Sequence, residues 1–169
     1  MSAKQQRDQS AVLARTDPNK ALKKARSIND PWYRAQALSG VARFLDGDPV
    51  SIAKQAAKAA SEGEDAYRQS AVRAWEVAAL AERGFSAESK KALKEALCLA
   101  QTVEPLSSRS EALYSLLQAA FAIDEKEANN VHSLIAKTCP PGEHWRCKRA
   151  NRDAARMING ELQPRKFFR

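Results

Sequence analysis

Asp30-Pro31-Trp32-Tyr33-Arg34-Ala35-Gln36-Ala37-Leu38 is the stretch on which the fold turns, because it returns three times in weakened form. The echoes are Ala66-Tyr67-Arg68-Gln69-Ser70-Ala71-Val72, Ser107-Ser108-Arg109-Ser110-Glu111-Ala112-Leu113 and His144-Trp145-Arg146-Cys147. Their arginines recur at intervals of 34, 41 and 37 residues. Self-similarity at that period marks stacked helical hairpins, in which one unit cannot bury its apolar face alone.

Composition agrees. The chain of 169 residues holds 32 alanines against 6 glycines and 7 prolines, so helix formers dominate and small side chains allow helices to approach closely. An all-α fold of about eight or nine helices is expected, with one helical-repeat domain over residues 1–160 and a basic, disordered tail over 161–169. The N-terminus lacks the apolar core of a signal peptide, and the longest uncharged run, Ala112 to Ile123, is 12 residues. A spanning helix needs about 20, so a cytoplasmic protein without membrane contact is expected. Three scattered cysteines, Cys98, Cys139 and Cys147, suit reduced thiols better than a disulfide framework.

Three Asp-Pro pairs, at residues 17, 30 and 48, announce helix starts, since aspartate accepts from the first free amides and proline tolerates the first helical position. Apolar spacing then predicts helices over 2–15, 18–28, 31–45, 49–61, 65–83, 87–103, 107–123, 125–138 and 143–159. The first is expected to fray, with Ala11, Val12 and Ala14 as its apolar positions. Gly40 falls inside the third, where it reads as a close helix crossing. Ser86 is a cap for the sixth helix, and Ser108 with Glu111 has capping-box spacing. The prolines all fall in breaks, including Pro140-Pro141-Gly142, or in the tail.

Pairing 31–45 with 49–61, 65–83 with 87–103 and 107–123 with 125–138 gives a pattern that resembles tetratricopeptide repeats. Ala35, Leu38, Ser39 and Ala42 have the first-helix spacing of that family, Ala53, Ala57 and Ala60 that of its second helix, and Pro31, Pro105 and Pro141 fall between units. Longer loops and the absent first-helix tyrosine depart from the family, and HEAT-like packing is an alternative. The resemblance implies an α-solenoid, a right-handed superhelix of antiparallel hairpins offering a groove to a protein or peptide.

Charge is uneven. Residues 1–60 carry 11 basic and 5 acidic side chains (+6), residues 61–142 carry 9 and 12 (−3), and residues 143–169 carry 8 and 3 (+5). Lys20, Lys23, Lys24, Lys54, Lys58, Lys90, Lys91 and Lys94 sit on alternate helices, either as a solvated face or as a basic stripe. Lys23, Lys54, Lys58 and Lys91, with Arg149, Arg152 and Arg156 of the last helix, are therefore the partner-binding candidates. Arg34, Arg68, Arg109 and Arg146 stand near helix starts, where a cation opposes the helix dipole. They read as repeat-packing residues paired with an acid of the preceding turn, with Trp32, Tyr33, Tyr67 and Trp145 as wedges between hairpins. The Arg165-Lys166-Phe167-Phe168-Arg169 tail reads as a disordered end or a short docking motif.

His132, Cys139, His144 and Cys147 fit no zinc spacing, and Cys139 lacks the setting of a nucleophile. No phosphate loop, dinucleotide fingerprint or HExxH pair occurs. The expectation is a non-catalytic adaptor or scaffold without cofactor or metal, binding a protein or peptide in its groove. The alternative is a basic solenoid holding nucleic acid on its lysine and arginine faces.

Overall fold

The structure is a computed structural model that describes residues 1–140 and 144–168. Among these, every regular element is helical: α1 (Ala3–Leu13), α2 (Pro18–Arg26), α3 (Pro31–Ala42), α4 (Pro49–Ser61), α5 (Ala66–Ala71), α6 (Arg73–Glu82), α7 (Ser86–Ala100), α8 (Leu106–Ala120), α9 (Glu125–Thr138) and α10 (Trp145–Ile158). Part of the Pro140-Pro141-Gly142 break and Arg169 of the tail lie outside the described residues.

The aspartates do what their position requires. Asp17, Asp30, Asp48, Asp65 and Asp124 each accept a hydrogen bond from the backbone amide three residues on, at 2.7 to 3.2 Å, and each Asp-Pro proline is the first residue of its helix. Three start signals resolve differently. Ser2 and Gln5 close a capping box on α1, the end expected to fray. Ser86 is already helical, behind Phe85. Pro105 starts α8 at Leu106, so Ser108 lies inside the helix and forms no capping box.

The helix expected over 65–83 is one rod interrupted at Val72, whose dihedrals remain helical (φ −68°, ψ −22°) while Trp75 N–H bonds Val72 O at 3.2 Å, three residues back. The Ser70 hydroxyl donates to Ala66 O at 2.7 Å and loads the carbonyl ladder just before the interruption. Serine back-bonding of this kind bends helices.

α1 packs on α2, α3 on α4, the α5–α6 rod on α7, and α8 on α9. The first helices then follow one another in contact, α1 to α3, α3 to α6, α6 to α8 and α8 to α10, while α2, α4, α7 and α9 each also touch the first helix of the next pair. Alanine fills these crossings: Ala21, Ala25, Ala35, Ala42, Ala53, Ala56, Ala74 and Ala96 are buried. The centre is α8, whose Leu113, Leu116 and Leu117 are fully enclosed.

The junctions between pairs are held at helix ends. Arg34 donates to Ile28 O at 3.0 Å, Gln69 to Gly63 O at 2.8 Å and Arg109 to Val103 O at 2.9 Å. Each reaches back six residues to a carbonyl just past the preceding helix, where the helix leaves acceptors unpaired and a cation suits the dipole. The repeated basic position is therefore explained by the helix behind it. Acids join in: Arg34 bonds Glu62 at the end of α4, and Arg109 bonds Glu104.

Arg68 and Arg146 do not share this role. Arg68 is one residue nearer its cap than Arg34, about 100° around the helix, and stands exposed at 4.0 Å from Glu64 while Gln69 takes the carbonyl. Arg146 is exposed over the ring of Trp145, itself 58% exposed and so no wedge. A junction the sequence did not announce is Arg83, which donates to Ala42 O, Arg43 O and Leu45 O at 3.0 to 3.3 Å beside a two-bond Arg43–Glu82 pair.

Gly40 is not a close crossing: a methyl group added there meets nothing within 4 Å. Gly40→Ala is therefore expected to raise the unfolding free energy by about 0.5 to 1 kcal/mol in urea titration, and a loss would show that its helix needs the glycine. Arg109→Ala, by stranding the Val103 carbonyl, is expected to lower it by about 1 to 3 kcal/mol, whereas Arg68→Ala should stay within about 0.5 kcal/mol. Equal costs would contradict the junction assignment.

Candidate functional site

A concavity of about 970 Å³ lies on the side of the first helices. α1 contributes Lys4, Arg7, Asp8, Ala11 and Val12, a spacing that puts all five on one helical face. α3 contributes Gln36, Ala37 and Gly40 on the same principle, followed by its cap residue Arg43 and Phe44, and Trp75 of α6 closes the far wall. Val12, expected in the core, is instead 72% exposed at the rim, because Ser10 and Ala14 take the buried side of α1.

Two arginines anchor the walls. Arg7 donates to the Gln36 amide oxygen at 2.5 Å, pairs with Asp8 at 2.7 Å and lies 5.7 Å from the centre of the Tyr33 ring. Arg43, fixed by Glu82, presents its guanidinium to Phe44 at 4.8 Å and to Phe168 at 4.3 Å. The second of these partners belongs to the tail.

Residues 161–168 are not a loose end in this structure. Gly160 adopts φ +75°, and the amides of Gly160 and Glu161 bond Met157 O and Arg156 O at 3.0 and 2.8 Å, the pairing of a Schellman ending that reverses the chain. The segment returns past Gln118, whose side-chain oxygen accepts from Arg165 N–H at 3.1 Å. Phe167 then meets Trp75 edge to face at 5.2 Å, and the Arg165 guanidinium lies 4.9 Å from the Trp75 ring centre. Leu162, Phe167 and Phe168 are partly buried on the core.

Trp75 belongs to a row of rings. Tyr67 stacks on Trp32 at 6.3 Å, Trp32 meets Trp75 edge-on at 6.0 Å, and Phe167 extends the row into the groove. Trp32 and Tyr67 thus span successive hairpins as wedges should, and the row continues the hydrophobic core to the surface.

Of the lysines expected on one stripe, Lys24 and Lys90 are half-buried and the others are exposed. Lys54 and Lys91 flank a second cleft of 420 Å³ between α4, α6 and α7, together with Glu76, Glu88 and Glu95. Lys23 and Lys58 are exposed elsewhere on α2 and α4, and Lys90 is bound to Asp124 at 2.7 Å. Three arginines of α10 are met by acids: Arg149 by Glu111, Arg152 by Asp153 at 2.8 Å, and Arg156 by Glu161 at 3.8 Å. Cations interleaved with carboxylates make a weak phosphate track.

The second cleft holds a buried ion pair. Arg73 bonds Glu76 at 2.8 and 3.1 Å and Glu95 at 3.0 Å. Burial pulls the Arg73 pKa down, but the bonds and charges of Glu76 and Glu95 outweigh it and hold it above the ordinary value. For Glu76 burial is the largest influence and pushes the pKa up, with the Arg73 bond opposing it. A carboxyl whose folded pKa exceeds its unfolded one contributes stability at low pH that fades as pH rises through the folded value. The stability of the wild type relative to Glu76→Gln is therefore expected to decline between pH 4 and pH 7, measured by urea unfolding at both; a rise would mean that the Arg73 pairing governs Glu76 instead.

Cys139 and Cys147 are buried, and the His144 ring accepts from Arg146 N–H at 3.2 Å as a cap of α10. Among the described residues, no three histidine, cysteine, aspartate or glutamate side chains converge as metal ligands, and no helix is long and apolar enough to cross a membrane. No protein-family model, curated protein or solved structure matches the chain.

Proposed function

We propose that the chain is a non-catalytic binding module, an α-solenoid of tetratricopeptide-like hairpins that takes a segment of a partner protein in the groove of its first helices. One observation carries this reading: the groove already accepts a stretch of polypeptide, its own Arg165–Phe168, through ring and guanidinium faces. The lining offers cations, aromatic rings and an amide, groups that recognise a ligand through charge and shape. In this reading the hairpins wind as a right-handed superhelix, and the exposed, acid-interleaved lysines of the second helices serve solubility. Three scattered cysteines suit a reducing, cytoplasmic setting.

The test is affinity capture from a host lysate after nuclease treatment, with three baits. Wild type and Lys23→Glu/Lys54→Glu/Lys58→Glu/Lys91→Glu are expected to retain the same protein, and Lys4→Glu/Lys166→Glu, which alters only exposed groove residues, to lose it. Capture that vanishes with nuclease or with the four-lysine variant would establish nucleic-acid binding on the second-helix face instead.

A further inference from the structure

We propose that residues 161–168 are a strap that fastens the end of α10 to α3 and α6, so that the early and late parts of the helix stack do not move independently. Stacked hairpins ordinarily meet only their neighbours, and their stability is then a sum of adjacent contacts, with either end free to loosen alone. α10 follows that rule as a helix, packing on α8 and α9. The segment behind it does not. It leaves α10 through the Gly160 reversal, is held to α8 by the Arg165 N–H bond to Gln118 at 3.1 Å, and reaches Trp75 of α6 and Arg43 at the close of α3.

The seat matches the side chains that fill it. Cations and rings alternate through it: the Arg165 guanidinium lies 4.9 Å from the Trp75 ring centre and 5.1 Å from that of Phe167, and the Arg43 guanidinium lies 4.8 Å from Phe44 and 4.3 Å from Phe168. Its place in the fold matters as much as its chemistry. Arg43 carries the junction of α3 with α6, its side chain bonded twice to Glu82 and its carbonyl accepting from Arg83 at 3.0 Å, and Phe168 stacks on that same guanidinium. Trp75 is joined through Trp32 to Tyr67, so Phe167 bears on a row of rings that α3, α5 and α6 share. The strap therefore grips a junction and a core row, and its docking opposes separation of α3, α6 and α8 together. This holds whatever the groove binds: its far wall and the last helix share one contact.

The experiment is hydrogen exchange by mass spectrometry on the full chain and on two variants that release the strap from opposite ends, each with helical circular dichroism retained. Phe167→Ala/Phe168→Ala removes the rings. Gly160→Val keeps them and strains the reversal, since a β-branched residue is disfavoured at φ +75°. Two ring contacts of ordinary strength correspond to about a tenfold shift in an opening equilibrium. Amides of residues 41–45 and 73–82 are therefore expected to exchange about tenfold faster in both variants, although Gly160→Val lies in neither stretch, while α9 exchanges as in wild type. Faster exchange confined to residues 158–168 in both variants would overturn the strap and leave a tail that only rests on the surface. A remote effect in the ring variant alone would overturn the fastening to α10. A uniform rise that includes α9 would overturn it too, because general destabilisation needs no strap.

Discussion

Every helix ends with carbonyls that have no partner within the helix, and a stack of short helices must find partners for many of them. In this protein the next helix supplies them. Arg34, Gln69 and Arg109 close the turns behind their own helices, Arg83 closes the end of α3 with three acceptors, and the Asn151 amide closes the end of α9 on Cys139 O at 2.6 Å. These bonds satisfy buried acceptors, and they also fix how each pair meets the next. The line of first helices, and hence the width of the groove between α1, α3 and α6, depends on them.

The same junctions bring the aromatic row to the surface. Tyr67, Trp32 and Trp75 come from α5, α3 and α6 and touch only because those helices are stacked in order. The row ends in an open face, and Arg43, pinned by Glu82, stands beside it. A rigid ring next to a rigid cation is a seat for another aromatic group, and the tail fills it. Stability and recognition are thereby linked through α3, whose amino end is held by Arg34 and whose carboxyl end is held by Arg83.

The element order was legible in the sequence because caps, prolines and apolar spacing are local signals. Asp17, Asp30 and Asp48 mark their helices without reference to anything distant. The arginine repeat was legible as a period but not as a register, since Arg68 and Gln69 differ by one position and only the distance to Gly63 O separates their roles. Gly40 looks like a crossing from sequence, yet it opens onto the groove, and nothing local distinguishes the two. The functional face was the least legible. The eye is drawn to runs of lysine, which the fold surrounds with Glu88, Glu95 and Asp124, while Lys4, Arg7, Arg43 and Trp75 come from three helices with no common motif. For the tail there was a signal: Gly160 after α10 permits a chain reversal, and two phenylalanines at its end have reason to seek cover.

The most direct test is a nuclear Overhauser spectrum of the free protein with the Phe167 and Trp75 rings assigned. The account predicts cross-peaks between the two rings. Random-coil shifts for residues 162–168 with no contact to Trp75 would contradict it, because the groove would then have no occupant of its own and the best support for its role in binding a polypeptide would be gone.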